Sequence, residues 1–460
     1  MSSHVGYIVE VKNLRPHGNA DKLQIATFFG NDTCVSLEVA VGDIGIYFPC
    51  DLQLSPEFCE VNHLCRKKLD GSPDTGYMEP DKRNVKAIKL RGEKSDGIYL
   101  PLTCLASFGD ISTLRPGDRI DIFNGHEICK KYIPRGNVRR GHVSEGNRTR
   151  KKKAPIAPLF QEHADTEQLA YNLAAFKPGD EIEITLKMHG TSQRTAHVPV
   201  LKGYKRTLWD KLLKREGTPI YDWGYVSGTR RTVLENYDGG YYGSNEFREQ
   251  HSKFFEGKLL KSETVYYEVV GFTHTGAPIM ATADNKKMKD KDFIKQYGET
   301  TTFSYGCKPG HLGGLVKDKE IVNNEAIVYP QSDIYVYRMT MTNEDGDVVE
   351  YTPDFMRYRC EQMGVKTVPV MWKGFLNEPD DWTGKEWNAG EFAKMIAEDY
   401  YDGPDPIGKT HIREGVVVRI LNRPKFCAYK HKNFAFKVLE NIIKDVATAP
   451  DMEEAEDVVE

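Results

Sequence analysis

The sequence predicts an α+β chain in two parts, a β-rich small barrel or sandwich over 1–125 and a larger mixed domain over 157–445. Length comes first, since 460 residues are too many for one ordinary core. Short runs with strand periodicity, cut by turn-forming residues, fill the first part. In the second, alternating runs are interleaved with helical patterns from about 157 onward.

Composition narrows the class. Apolar residues make up 39% and charged residues 28%, as in an ordinary globular chain. With 63 Lys+Arg against 67 Asp+Glu the net charge is −4, so any affinity for nucleic acid must come from local patches. No run of 18 apolar residues occurs, and neither a signal peptide nor a membrane span is expected. The 9 cysteines are irregularly spaced with no CxxC, which favours reduced thiols and a cytoplasmic location, a nuclear address being the lesser reading. Cys59, His63 and Cys65 lack a second ligand pair and read as ordinary thiols with a neighbouring histidine.

In the first part, Gly6–Val11, Val85–Leu90 and Gly97–Leu100 read as strands separated by Pro, Gly, Asn and Asp. Several short strands in so short a span fit an oligonucleotide-binding (OB) barrel among other small β architectures. The run His17-x-Asn19–Ala20–Asp21 resembles a segment of tRNA-binding barrel domains, although Asn19 and Asp21 also suit a turn. Residues 126–156 read as a linker. Lys130, Lys131, Arg135, Arg139, Arg140, Arg148, Arg150, Lys151, Lys152 and Lys153 lie there with Glu145 as the sole acid between Lys130 and Lys153. Such a run is either a solvated segment or a strip for phosphates.

The larger domain opens with Asp165–Thr166–Glu167–Gln168, read as the start of a short helix. Strands are expected around 181–187, 221–228, 264–270, 326–340, 347–351, 412–420 and 426–437. Insertions are expected near 281–320 and 373–406, the latter with a helix at Ala389–Tyr400, and 446–460 reads as an acidic tail.

Chemistry gathers on those strands. Lys187 ends the alternating run from Glu181, and Gly190 follows it within Lys187–Met188–His189–Gly190–Thr191–Ser192. A lysine is nucleophilic only when deprotonated, which burial or a neighbouring cation favours, and a glycine allows backbone close to a nucleotide. Alone, the same spacing suits a surface lysine before a turn. Glu268 stands in an apolar and aromatic strand, Tyr335 and Tyr337 alternate ahead of Arg338, and Glu414 opens a β-prone run. Lys430 and Lys432, two apart, share a strand face, where a bound anion would offset their repulsion.

In that order, Lys187-x-x-Gly190, Glu268 with Gly271, Tyr335–Arg338, Glu414–Gly415 and Lys430-x-Lys432 resemble motifs I, III, IIIa, IV and V of the covalent nucleotidyltransferases. This superfamily comprises RNA ligases, DNA ligases and mRNA capping enzymes. Gly228–Thr229–Arg230 resembles motif Ia. DNA ligases and capping enzymes carry an OB domain after motif V, and too few residues follow Lys432 for one. With the candidate barrel upstream and the His189–Gly190–Thr191–Ser192 run, the chain resembles ATP-dependent RNA ligases having an N-terminal OB domain. One departure is Leu186, where many ligases have glutamate.

The resemblance implies an antiparallel-sheet-rich nucleotidyltransferase (adenylyltransferase) domain and ligation of RNA 3′-hydroxyl to 5′-phosphate ends, as in RNA repair. Lys187 would form lysyl-AMP from ATP, AMP would pass to the RNA 5′-phosphate, and the 3′-hydroxyl would displace it. Lys430 and Lys432 would clamp the α-phosphate, and Glu414 would hold Mg²⁺ or Mn²⁺. Gly190, Ser192, Glu268 (on the ribose), Tyr335 (on the base), Arg338 and Arg230 would bind nucleotide. A monomer is expected, with RNA ends as partner and no membrane. DNA ligase, guanylyltransferase and a non-catalytic RNA-binding protein on a degenerate scaffold are the rival readings.

Overall fold

The computed structural model describes residues 4–133, 154–163, 166–212, 215–234, 237, 246–309, 319–322, 325–328, 330–379 and 387–445. The basic run from Arg135 to Lys153 and the acidic tail lie outside the described residues. The chain divides into two compact units, 1–135 with 434–450, and 136–433 with 451–460.

In the first unit, Gly6–Glu10 lies between Ile44–Phe48 and Arg119–Ile120, and Ile98–Pro101 completes a four-stranded sheet. Leu14–Pro16, Leu23–Phe28 and Asn31–Ser36 form a separate three-stranded sheet. Ile8, Ile46, Phe48, Leu54, Phe58 and Ile128 are buried in one core. The expected closed barrel does not form among the described residues. Closure needs an unbroken hydrogen-bonded ladder, and here short strands divided by turns leave separate sheets and hairpins. The His17 segment bonds within the first unit: Asn19 N–H donates to His17 Nδ1 at 3.1 Å, and Asn19 Nδ2 to Arg91 O at 3.1 Å.

The strand expected at 426–437 is cut short. A strand spans Ala428–Lys432, and helix Phe434–Asp445 follows. Phe434 and Phe436 mimic a strand's alternation, but the apolar residues from Val438 recur with helical spacing. Phe436 and Leu439 are fully buried, and the helix belongs to the first unit. There Lys437 Nζ meets Asp96 at 2.6 Å and Lys444 Nζ meets Asp51 at 2.9 Å.

The second unit holds two antiparallel-rich sheets. One has the order Glu167–Gln168, Ala428–Lys432, Gly415–Ile420, Glu181–Lys187, Val370–Phe375. Ile182, Ile184, Val416 and Val418 bury its outer face against Ala393, Ile396 and Ala397 of helix Ala389–Tyr400. The other sheet runs Thr218–Gly228, Thr191–Lys205, Glu263–Gly271, Ser332–Thr342, Val348–Glu350, with Lys366–Thr367 added in parallel. The expected helix from 165 is instead a two-residue strand and two 3₁₀ turns, Leu169–Tyr171 and Leu173–Ala175, because Glu167 and Gln168 pair with Tyr429 and Lys430. No helix of the described residues is long and apolar enough to cross a membrane.

Candidate active site

Strand register gathers the charged residues. Lys187 pairs with Gly415, and Gly415 with Lys432, so the two lysines flank a residue without a side chain. Gly415 has φ +149°, and a Cβ there would lie 2.1 Å from His431 O, so no other residue fits. Glu414 fills the gap. Its Oε1 stands 2.8 Å from Lys187 Nζ and 3.2 Å from Lys432 Nζ, and its Oε2 lies 3.5 Å from His189 Nδ1. Burial alone would raise the Glu414 carboxyl, but Lys187, then Lys432 and His189, hold it well below the usual carboxylate range. One buried carboxylate is thus shared by two ammonium groups.

The next same-face rows are Thr185 with Val417 and Lys430, then Glu183 with Arg419 and Ala428. Side chains two apart on a strand share a face, so Lys430 lies on the face of Lys432 and Ala428. Glu183, Thr185, Val417, Arg419 and Ala428 of that face floor a cleft lined also by Lys187, Arg230, Glu268 and Tyr337, while Lys430, Lys432 and Glu414 are not among its lining residues. Glu183 is held by Arg357 at 2.8 Å.

The second sheet supplies the opposite wall, where Ser192 pairs with Glu268 and Glu268 with Tyr335. A Cβ at Gly190 would lie 2.5 Å from Val269 O and 2.8 Å from Glu268 Cγ. The glycine is therefore required by the neighbouring strand, where the sequence suggested an approach to nucleotide. The register shifts between Tyr266 and Tyr267, and Tyr337 falls at that bulge. A bulge re-aims a side chain. Tyr337 lines the cleft and its Oη is 2.9 Å from Ser192 Oγ. Tyr335, the expected base-stacking residue, is buried outside that lining with Lys366 Nζ 5.6 Å from its ring centroid.

Arg338 is committed to structure. It donates to both oxygens of Glu350 and lies at 3.0 Å from His163 Nδ1, with its guanidinium between the rings of Tyr266 and Phe426. Arg230 does line the cleft. Arg194, unread in the sequence, donates to Thr229 O at 2.8 Å and Arg231 O at 3.3 Å, fixing the backbone on both sides of Arg230. Arg248 likewise donates to Ser192 O at 3.0 Å. Neither arginine has a sequence signature, since the partners, backbone carbonyls and for Arg248 also Thr191 Oγ1, lie far along the chain. His189 stood inside the Lys187 run, yet its pairing with Glu414 depends on register that spacing does not encode.

No family model and no curated protein matches this sequence. Solved structures do match in fold. A mutant Naegleria gruberi RNA ligase with ATP and Mn superimposes with a TM-score of 0.52 at 16% identity, over 94% of this chain and 98% of that one. Another mutant of that ligase, with AMP and Mn, gives 0.51 at 14% over 94% and 98%. The same ligase with PPi gives 0.51 at 16% over 94% and 97%. The likeness is one of fold, an α+β fold that this chain shares with an RNA ligase over nearly its whole length.

Proposed function

We propose that the chain is an ATP-dependent RNA ligase joining RNA 3′-hydroxyl and 5′-phosphate ends through lysyl-AMP and RNA-adenylate. The observation that carries this reading is the Lys187–Gly415–Lys432 row with Glu414 between the lysines, its Lys187 lining a cleft that Arg230, Glu268 and Tyr337 also line. Lys187 attacks the ATP α-phosphorus and pyrophosphate leaves. The Glu414 pair favours the Lys187 ammonium while Lys432 disfavours it, so the pair must loosen before the amine can attack. Lys430 and Lys432 stabilise charge on the phosphate oxygens as it develops. Tyr337, not Tyr335, contacts the base, Glu268 and Arg230 hold ribose or phosphate, and Arg338 supports the wall.

Glu268 in the cleft and Glu414 against Lys187 are hard oxygen donors of the kind Mg²⁺ and Mn²⁺ use, and Glu414 is the proposed ligand. Such an ion can be held by few carboxylates, waters and substrate phosphates. When bound, such an ion would neutralise phosphate charge. Incubation with α-labelled ATP tests the reading, with a labelled wild-type band and an unlabelled Lys187→Ala band expected. GTP in place of ATP, and DNA in place of RNA 3′-hydroxyl ends, separate guanylyltransferase and DNA ligase. An unlabelled wild-type protein that binds RNA would make it a non-catalytic binder.

A further inference from the structure

We propose that Tyr305 is a positioning residue for Lys187, acting through the turn that follows it; this rests on Lys187 being the nucleophile. His189 N–H, two residues beyond Lys187, donates to Tyr305 Oη at 2.7 Å. Tyr305 lies in the insertion between the Glu268 and Tyr335 strands, a segment that none of the strand-borne motifs includes. It is 2% exposed and has φ +47°, a backbone conformation that a bulky residue adopts only where its surroundings impose it.

Those surroundings form a continuous wall behind His189. The His189 ring meets Phe303 edge-on at 4.5 Å, Phe303 lies 5.2 Å from His411, and Tyr305 meets His411 edge-on at 4.5 Å. His411 is fully buried, with Nδ1 2.9 Å from Ile412 O and Nε2 3.8 Å from Asp405. Asp405 is fixed in turn by the N–H groups of Ile407, Gly408 and Lys409 at 3.1, 2.7 and 3.1 Å. The phenol hydroxyl therefore sits on a rigid mount and holds one backbone atom of the Lys187–Gly190 turn. The same turn carries His189 to Glu414, so displacing it would move both the nucleophile and its carboxylate partner.

Tyr305→Phe removes the hydroxyl and keeps the ring in the wall. Lysyl-AMP formation is measured in single turnover against ATP concentration, below the melting temperature, with rates normalised to active sites by burst amplitude. Misplacement of a reacting group by about 1 Å costs on the order of 10²-fold in rate. The expected result is a maximal rate lower by about 10- to 100-fold, with apparent ATP affinity changed less than about threefold. Sealing of pre-adenylylated RNA, which does not use the Lys187 amine, should be retained. A wild-type maximal rate overturns the proposal, as does an equal loss in the sealing step. If Lys187→Ala still labels, the ligase reading itself fails; if that variant is dead and Tyr305→Phe is normal, only the positioning role fails.

Discussion

Lys187 and Glu414 are not interchangeable members of their ion cluster, and their removal should separate chemistry from stability. Lys187→Ala leaves Glu414 with Lys432 and His189, so the fold should persist while lysyl-AMP is lost. Glu414→Ala leaves two ammonium groups without the carboxylate they share, a change that at buried pairs costs about 3 kcal/mol. Thermal melts should show the second variant well below wild type and the first close to it; the reverse order would mean that the cluster is not as drawn. The aromatic wall gives a second contrast. Tyr337→Ala should raise the KM for ATP, because that ring lines the cleft, whereas Tyr335→Ala should chiefly lower stability. Arg338→Ala should lower stability, because among the described residues Glu350 would keep only Arg419 at 3.7 Å, with self-adenylylation per folded molecule little changed. If KM moved in the Tyr335 variant alone, the original stacking assignment would return.

Elements were legible where periodicity was long and uninterrupted. Strands Glu181–Lys187 and Glu263–Gly271 and helix Ala389–Tyr400 lie where the pattern put them, because one face of each is consistently apolar or buried. Reading failed where a residue's direction depends on its partner strand. The bulge at Tyr337 arises from pairing with Tyr266 and Tyr267, and no local spacing encodes it. The first sheet's Lys430–Lys432 face was legible from period two, but the row that aligns Lys432 with Lys187 passes through Gly415 on a third strand. A test at this scale is Gly190→Ala, whose Cβ would meet Val269 O at 2.5 Å. The turn must shift, and adenylylation should fall about 10²-fold. Helix Glu246–Phe254, packed behind the second sheet, carries a pH signature. Burial lowers His251 from 6.5 to about 4, and its Nε2 lies 2.9 Å from Ser332 Oγ. Its folded pKa is depressed, so the folded state binds fewer protons between those values. The contribution is fully present above pH 6.5 and lost as pH falls toward 4, by an amount on the order of 1–3 kcal/mol. Denaturant unfolding from pH 7 to 4 should show this slope reduced in His251→Asn; an unchanged slope would move the titration to other groups.

At the scale of the whole chain, the proposed lysyl-AMP chemistry sits in one unit, and a role for the other unit and for the basic run in holding RNA is open to test. Lys187, Glu414, Lys432 and the cleft belong to the second unit, and helix Phe434–Asp445 to the first. A truncation that separates them should therefore run from 154 to 433. Ending it at 445 would leave Phe436 and Leu439, both fully buried in the whole chain, without their core. The truncated protein should label itself with AMP and bind RNA more weakly than the full chain. RNA binding by the full chain should weaken with salt, because each neutralised phosphate contributes about 0.7–0.9 to the log–log slope. Charge reversal of Arg148, Arg150, Lys151, Lys152 and Lys153 to glutamate should flatten that slope if the basic run touches RNA. The measurement is a salt titration of RNA affinity for full chain, truncation and charge reversal. Three equal slopes would remove both the first unit and the basic run from RNA binding. Loss of self-labelling in the truncated protein would show instead that the first unit takes part in making lysyl-AMP.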